Sequence, residues 1–363
     1  MKLQKTIKNK ITISGTGLHT GSYNNLTIKP GLENSGILFR RVDLDNKPYI
    51  RAVVDNVHAT ERRTVIKENG AAIETVEHLL AAIFALNIDN LMIEIDGPEV
   101  PIFDGSSQLF INALEKSIIV DQTAKRKRFK IPNYFKVENT DGSKIEFYPQ
   151  DNLEIEVSIN YNSDVIQKQK ASLSSLDDFK NNTANARTFC FLHELDYLMK
   201  NDLLKGGNLN NGLVFINQDT PIKSLGKLKK LLPKHTKILK KGVLNNEKMR
   251  YENEQAKHKL LDLVGDIALV GGELKGKIVA HKPGHKINTL FAKKMKQKIA
   301  KNLNSRNRKP LMQLDDIKKI LPHREPFLFI DEIQELGDDH VTGVKYVKKD
   351  EYYFKGHFPG APV

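Results

Sequence analysis

Apolar and polar residues alternate along the chain with two periods, and these periods predict most of its elements. A period of two predicts paired strands at 10–14 and 25–29, on either side of a turn that contains three glycines. A further strand is expected at 90–95. Before it, the helical spacing of apolar residues predicts a helix that begins near Thr75, with Thr75 as its N-cap residue.

The same order of elements recurs after a polar, charged segment at 121–128, which has neither period and therefore predicts a domain boundary. Beyond it we expect strands at 129–137, 144–148 and 153–160, and then a buried helix at 258–269. A strand at 276–280, a loop at 281–285 and a last helix at 287–302 should follow. The two halves therefore look like a duplicated module. An insert at about 187–216 in the second half predicts a strand, a helix and a strand.

The composition is that of a globular protein with two or three domains, since 39% of the 363 residues are hydrophobic and 28% are charged. No apolar run approaches the length of a membrane span, and residues 1–5 lack the apolar stretch of a signal peptide. The single cysteine, Cys190, excludes an internal disulfide framework and a zinc site built from cysteines. It also fits a reducing cytoplasm, where we expect the protein to reside.

The net charge of +13 indicates an anionic partner. Residues 221–250 carry nine Lys and one Arg against one Glu, and residues 293–309 carry eight Lys and Arg in total with no acid. Such stretches attract phosphates on nucleic acid, on anionic lipid or on a nucleotide-sugar. Because residues 227–241 contain no aromatic residue for base stacking, a basic phosphate or nucleic-acid binding module without catalysis is only the alternative hypothesis.

Two separated motifs carry the candidate chemistry. Glu77 and His78 stand near the start of the first predicted helix, and His258 and Asp262 share one face of a later helix, where Asp266 follows. Two imidazoles and a carboxylate can hold a zinc ion with one position open for water, and a neighbouring glutamate can accept the proton of that water. Each motif alone also fits a simpler interpretation, as a solvated i,i+4 pair or as a carboxylate at a helix N-terminus.

The loop at 281–285 ends with His285, and a histidine there could protonate a leaving amine. Asp266 could raise the pKa of such a histidine by stabilising its charged form. Whether these groups meet depends on the tertiary fold, which the spacing of the residues does not give.

Six segments resemble, in order, motifs of the UDP-3-O-acyl-N-acetylglucosamine deacetylase family, the zinc enzymes of lipid A synthesis. They lie at 17–21, 75–79, 102–106, 186–189, 258–266 and 283–285. The resemblance implies an α+β fold of two duplicated domains, each with a sheet and a helix layer, at 1–124 and 125–302. It also implies the committed step of that synthesis, hydrolysis of the substrate acetamide to an amine and acetate.

The resemblance assigns a role to each candidate residue. It implies that His78, His258 and Asp262 bind Zn²⁺ and that Glu77 is the general base. His285 would stabilise the charged intermediate and protonate the leaving nitrogen. Asp266 would orient His285 and stabilise its charge.

Substrate contacts are also implied by the resemblance. Thr188 and Phe189 would line the sugar and acyl region, Lys259 would reach the diphosphate, and His19 would contact the UDP-linked acylated amino sugar. The insert would form the passage for the fatty chain. A substrate of this kind is met near an anionic membrane surface, so the basic charge favours peripheral contact with that surface without a membrane span.

The last fifty or so residues have a different character. After a linker at 303–312, the segments 317–331 and 354–363 resemble the (3R)-hydroxyacyl-acyl-carrier-protein dehydratase family, which has the hot-dog fold. The resemblance implies that His357 is a catalytic histidine and that an acyl-carrier-protein thioester is a partner. The family's catalytic glutamate follows on a helix beyond Val363, so we expect residues 313–363 to be an incomplete, inactive hot-dog module. A complete module would allow oligomerisation.

Overall fold

The computed structural model describes residues 2–200, 204–217, 241–307, 310–337, 340–348 and 351. The chain divides into a first unit, Met1–Gln297, and a second unit, Lys298–Val363. Helices and sheets are mixed along both units, which confirms the expected α+β class. No helix within the described ranges combines the length and the apolar character that crossing a bilayer requires.

The first half of the first unit, residues 2–125, is built around a five-stranded sheet. The strands of this half, in that sheet and outside it, are β1 (Leu3–Ile7), β2 (Ile11–Thr16), β3 (Tyr23–Pro30), β4 (Ile37–Arg41), β5 (Tyr49–Arg51), β6 (Val57–Ala59), β7 (Val65–Glu68), β8 (Ala71–Ile73), β9 (Leu91–Ile95) and β10 (Ile119–Lys125). Its helices are α1 (Glu77–Ala85) and α2 (Gln108–Lys116). The sheet order is β2-β3-β9-β4-β5, and the central β9 is antiparallel to β3 and parallel to β4.

The second half, residues 128–297, repeats this arrangement. Its strands are β11 (Arg128–Lys130), β12 (Phe135–Glu138), β13 (Lys144–Tyr148), β14 (Leu153–Ile159), β15 (Gln169–Leu173), β16 (Phe189–Phe191), β17 (Leu213–Ile216), β18 (Gly242–Val243) and β19 (Glu273–His281). Its helices are α3 (Phe179–Asn182), α4 (Leu192–Lys200), α5 (Glu254–Ala268) and α6 (His285–Asn307), the last of which continues beyond residue 297. The order is β12-β13-β19-β14-β15, with β19 antiparallel to β13 and parallel to β14. The expected duplication is therefore visible in the topology.

The two halves meet where α1 packs against α5. All nine residues of α1 are buried, although two of them, Glu77 and His78, are polar. The contact is close at Gly265, because a Cβ atom there would collide with the carbonyl group of Glu77. The N-terminus of α1 is thereby held directly against the middle of α5.

Three sequence-based expectations need correction. Thr75 is not the N-cap of α1: its backbone has φ +58°, Val76 occupies the N-cap position, and the Thr75 hydroxyl donates to Glu99 Oε1 at 2.7 Å. The polar segment after residue 118 is not aperiodic, since Ile119–Lys125 pairs with β1 as an antiparallel strand. Helix α6 begins at His285 rather than at residue 287, so His285 opens a helix instead of ending a loop. The predicted domain boundary at 124/125 remains a prediction.

The insert contains the predicted strand, helix and strand, which are β16, α4 and β17, and β18 completes its small sheet. Together with α4 these strands enclose a separate apolar cluster that includes Leu192, Ile216 and Leu244. The insert therefore has its own small core.

The second unit contains β20 (Met312–Gln313), α7 (Leu314–Ile320), β21 (Glu332–Leu336) and β22 (Val341–Val344). The strands form one sheet in this order, and a small cluster of Ile317, Leu328 and Ile333 packs beside it. His357 lies outside the described residues.

Candidate metal centre and active site

Three side chains from the two halves converge at the junction of α1 and α5. His78 lies in the first turn of α1, and His258 and Asp262 lie one turn apart on α5. One ligand atom of each lies within 4.8 Å of the others, and all three residues are buried. The structure thus brings together the three residues predicted as metal ligands.

The polar atoms of this cluster fit a metal ion better than they fit one another. Asp262 Oδ1 lies 3.4 Å from His258 Nε2 and 3.7 Å from His78 Nε2, which is too far for strong hydrogen bonds. Among the described residues, neither Asp262 Oδ1 nor His78 Nδ1 has a hydrogen-bond partner, although both atoms are buried. Leaving a buried carboxylate oxygen unpaired is costly. Two imidazoles and a carboxylate are a donor set suited to zinc.

His258 is held in an orientation suited to metal binding. Its Nδ1 atom lies 3.1 Å from the carbonyl oxygen of Ala186, so that Nδ1 carries the proton and Nε2 faces the cluster. The next residue, Arg187, fixes this backbone through a buried ion pair with Glu254, with Nε 2.8 Å from Oε1. Burial, together with the positive neighbour Lys259, lowers the pKa of His258 to about 4, so the ring stays neutral.

Asp262 remains ionised in this buried site. Although burial opposes ionisation, His258, whose ring is protonated at the low pH where this carboxyl titrates, and Lys259 hold the pKa of Asp262 well below its ordinary value. Lys259 Nζ lies 2.9 Å from Asp262 Oδ2, and this carboxylate in turn raises the pKa of Lys259 against the opposing effect of burial. The ammonium group also lies 5.8 Å from the ring centroid of Phe189.

Glu77 lies beside the metal cluster. Its Oε2 atom accepts a hydrogen bond from the backbone N–H of Thr64 at 3.1 Å, and its Oε1 atom lies 3.7 Å from His285 Nε2. Burial raises the pKa of Glu77 above its ordinary value, which brings the carboxylate closer to the basicity that a proton acceptor needs.

His285 faces Glu77 from the start of α6. Its Nδ1 atom donates to Asp266 Oδ2 at 2.9 Å, and Asn288 Nδ2 donates to the same oxygen at 2.9 Å. Burial opposes a charge on the ring, but the carboxylates of Asp266 and Glu77 outweigh it and raise the pKa of His285 to about 9. The ring is therefore cationic near neutral pH and can donate a proton.

A cavity of about 300 Å³ opens onto this cluster. Nine of the residues predicted for the site line it, namely His19, Glu77, His78, Thr188, Phe189, His258, Lys259, Asp262 and His285. Asp266 does not line the cavity, but it bonds His285, which does. His281, the first residue of the loop predicted at 281–285, does not line the cavity either, and its Nδ1 atom lies 3.0 Å from Ser158 Oγ.

A family model described as UDP-3-O-acyl N-acetylglycosamine deacetylase matches residues 4–230 and 222–297, which is most of the chain. The chain belongs to this deacetylase family. A second family model, described as a FabA-like domain, matches residues 321–363. The deacetylase family therefore accounts for the first unit, and the FabA-like match falls in the second.

The relatives of this chain include bifunctional enzymes as well as a protein named only as a deacetylase. The chain is 40% identical to the bifunctional enzyme LpxC/FabZ of Porphyromonas gingivalis over 370 residues, which cover 100% of this chain and 80% of the relative. It is 36% identical to the bifunctional enzyme LpxC/FabZ of Chlorobaculum tepidum, with 99% and 80% covered. It is also 36% identical to the UDP-3-O-acyl-N-acetylglucosamine deacetylase of Saccharophagus degradans, with 78% and 87% covered. The expected identity as a deacetylase joined to dehydratase-related sequence is confirmed.

Sequence reasoning missed several residues that support the deacetylase site. The fully buried Glu99 accepts hydrogen bonds from the backbone N–H groups of His19 at 3.0 Å and Thr20 at 2.8 Å, besides that from Thr75. Asn288 and the pair of Arg187 with Glu254 were also missed. The only signal for Glu99 was its position in a short loop between two prolines, which identifies no partner.

Proposed function

We propose that the first unit hydrolyses the acetamide of UDP-3-O-acyl-N-acetylglucosamine with the help of zinc, giving acetate and UDP-3-O-acyl-glucosamine. The observation that carries this proposal is the convergence of His78, His258 and Asp262 beside two further titratable groups, Glu77 and His285, in one cavity. A basic binding module without catalysis would not need these buried, mutually tuned groups.

His78, His258 and Asp262 would hold the zinc ion. A bound zinc ion polarises a carbonyl oxygen and lowers the pKa of water. The single cysteine, Cys190, does not join the cluster. Burial raises the pKa of its thiol to about 12, so the thiol stays protonated near neutral pH and is not a proposed zinc ligand.

Glu77 accepts the proton of the attacking water, because it is a buried carboxylate at the edge of the ligand cluster. As water oxygen bonds to the acetyl carbon, negative charge grows on the carbonyl oxygen, and the nearby His285 cation stabilises it. The carbon–nitrogen bond then breaks, and the sugar nitrogen takes a proton from His285 Nε2. Asp266 keeps the His285 ring oriented throughout and stabilises its charge.

Thr188, Phe189, Lys259 and His19 are proposed as substrate contacts. Among the described residues, Lys259 donates one hydrogen bond, to Asp262, so two of its three N–H donors can serve a phosphate oxygen. Phe189 offers an apolar ring next to that ammonium group. The insert begins at these residues, which supports its proposed role as the passage for the acyl chain.

The setting of the reaction is likewise a proposal. A diphosphate substrate with an acyl tail favours peripheral contact of the basic protein with an anionic membrane surface. The cytoplasm is the proposed compartment, and nucleic acid is not a proposed partner. Assembly through the second unit is proposed as well.

Acetate release tests the proposed function. The metal-loaded protein should release acetate from UDP-3-O-acyl-N-acetylglucosamine, lose this activity to a chelator and recover it with added zinc. Metal analysis should give about one zinc per chain. Acetate release that ignores the chelator and Glu77→Ala, or protein without stoichiometric zinc, would refute the proposal.

For the second unit we propose that its sequence is related to hydroxyacyl thioester dehydratases and that its partner is an acyl-carrier-protein thioester. His357 is its proposed catalytic residue. Water loss from a (3R)-hydroxyacyl thioester is the direct assay. Turnover that disappears in His357→Ala would support the role of His357, and turnover that persists in this variant would refute it.

A further inference from the structure

Thr64 occupies a central position behind the active site without facing the cavity. It lies directly before β7, and its side chain is fully buried. Its carbonyl oxygen accepts a hydrogen bond from the N–H of Val76 at 3.4 Å, just before α1 begins. The residue is therefore tied to the chain segment that delivers Glu77 and His78.

The backbone N–H of Thr64 fixes one of the two reacting groups. It donates to Glu77 Oε2 at 3.1 Å, which leaves Oε1 as the oxygen nearer to His285. A carboxylate held by a backbone donor cannot rotate freely. This contact therefore selects which oxygen of Glu77 is presented to the cavity.

The hydroxyl of Thr64 contacts the other reacting group and its partner. Oγ1 lies 2.5 Å from Asp266 Oδ1 and 3.2 Å from His285 Nδ1. A hydroxyl has one proton, and the Thr64 hydroxyl donates it in the shorter contact, to Asp266 Oδ1. Oγ1 must then accept from His285, so Nδ1 carries a proton that it shares between Thr64 and Asp266 Oδ2.

Asp266 is fully satisfied by this arrangement. Thr64 bonds Oδ1, while His285 and Asn288 bond Oδ2. Both oxygens being fixed, the plane of the carboxylate is fixed as well, and with it the direction of His285 Nε2. That nitrogen lies 3.7 Å from Glu77 Oε1 and 4.0 Å from Asp262 Oδ2.

We propose that Thr64 is a positioning residue that sets the proton acceptor and the proton donor relative to each other, through its N–H to Glu77 and its hydroxyl to Asp266 and His285. This inference rests on the proposed function for its kinetic consequences. Its structural content, that the Thr64 hydroxyl restrains the His285 ring, does not depend on the substrate.

The kinetic test compares Thr64→Val, which loses the hydroxyl at almost constant volume, with Thr64→Ser, which keeps the hydroxyl. Thr64→Val should lower kcat about 10- to 100-fold, the range for losing a hydrogen bond to a charged group. KM and zinc content should not change, because Thr64 does not line the cavity. Thr64→Ser should keep kcat within about threefold of wild type.

Thr6→Val is the matched control. Thr6 is also buried, and its Oγ1 donates to Asn90 O at 2.7 Å and accepts from Gly31 N at 3.0 Å, but neither partner belongs to the site. It should lower the melting temperature and leave kcat unchanged. Should the valine variant not fold, Thr64→Ala removes the same hydroxyl without added bulk.

A measurement on the metal-free protein separates this inference from the proposed function. The Nδ1–H proton of His285 should give a resolved NMR signal in wild type and Thr64→Ser and should exchange too fast for detection in Thr64→Val. If wild type releases no acetate, the proposed function fails and this signal alone decides the inference. An unchanged signal in Thr64→Val, or a kcat loss shared equally by valine and serine, would overturn the positioning role.

Discussion

The two halves of the deacetylase unit share a strand order but place their functional groups differently. In the first half, Glu77 and His78 occupy the first two positions of α1, where the backbone turns into the helix. In the second half, His258, Asp262 and Asp266 follow one another along successive turns of α5. The first half therefore offers its groups from a helix terminus, whereas the second offers three groups from a helix face and His285 from the start of α6.

This difference shows why neither half alone holds the site. The first half supplies one proposed metal ligand and the proposed base, and the second supplies two proposed ligands and the proposed acid. The proposed proton donor and acceptor, His285 and Glu77, likewise come from opposite halves. Activity should therefore depend on the packing of α1 against α5 as strongly as on any single residue.

Loss of the proposed base from the first half should have the largest effect. Glu77→Gln keeps the shape of the side chain but removes its basicity, so kcat should fall about 10³-fold while zinc stays bound. Steady-state kinetics with metal analysis measures both. Glu94→Gln, on the central strand of the same half and paired with Lys29, is the control and should leave kcat unchanged. A base in the second half would be indicated if Glu77→Gln retained a tenth or so of the activity.

Removal of one ligand from either half should come next. His78→Ala and His258→Ala should each weaken zinc binding by more than about 100-fold, because even groups that only support ligands often contribute that much. Competition with a chelating dye gives the affinity. The halves contribute unequally if one variant keeps near-normal affinity while the other loses it. His281→Ala, which alters a histidine at the end of β19 outside the ligand cluster, is the control.

Asp266→Asn, a change in the second half, should have a smaller effect. The amide no longer stabilises the imidazolium, so in the metal-free protein the pKa of His285 should fall below about 9. Its proton is then lost at lower pH than in wild type, and kcat should drop about 100-fold, at least as far as in Thr64→Val. Titration of the His285 ring by NMR checks the direction. A pKa that stays near its wild-type value would assign the stabilisation to Glu77 instead.

The smallest effect tests the duplicated sheets themselves. Ile93 of β9 and Ile278 of β19 are both fully buried at the centre of their sheets, each beside one parallel and one antiparallel neighbour. Replacing either by valine should lower the free energy of unfolding by about 1 kcal/mol. Denaturant titration measures each loss. Clearly different values would mean that the common topology hides different packing.

Elements with a regular pattern could be predicted from the sequence. The alternation at β2, β3 and β13 identified strands, and the resemblance brought together residues that the structure places around one cavity. Thr75 was misread because its side chain bonds Glu99 across the fold instead of capping α1. Such contacts leave no periodic trace.

Residues that act through tertiary contacts escaped prediction for the same reason. Arg187 and Glu254 are 67 positions apart, and Thr64 and Asp266 are 202 apart. Nothing in the local sequence around either pair indicates its partner. Hydrophobic pattern determines where a helix lies, whereas the support of a functional group depends on which helices become neighbours.

Gly265 lets the two halves of the deacetylase unit approach closely because it has no side chain. A glycine inside a helix costs about 1 kcal/mol of helix stability relative to alanine. At this position the missing methyl group gives the carbonyl of Glu77 its room. An added methyl group would push α1 away from α5 and separate Glu77 from His285, although both sheets would stay intact. The spacing of these two proposed catalytic groups therefore depends on a residue that has no functional group of its own.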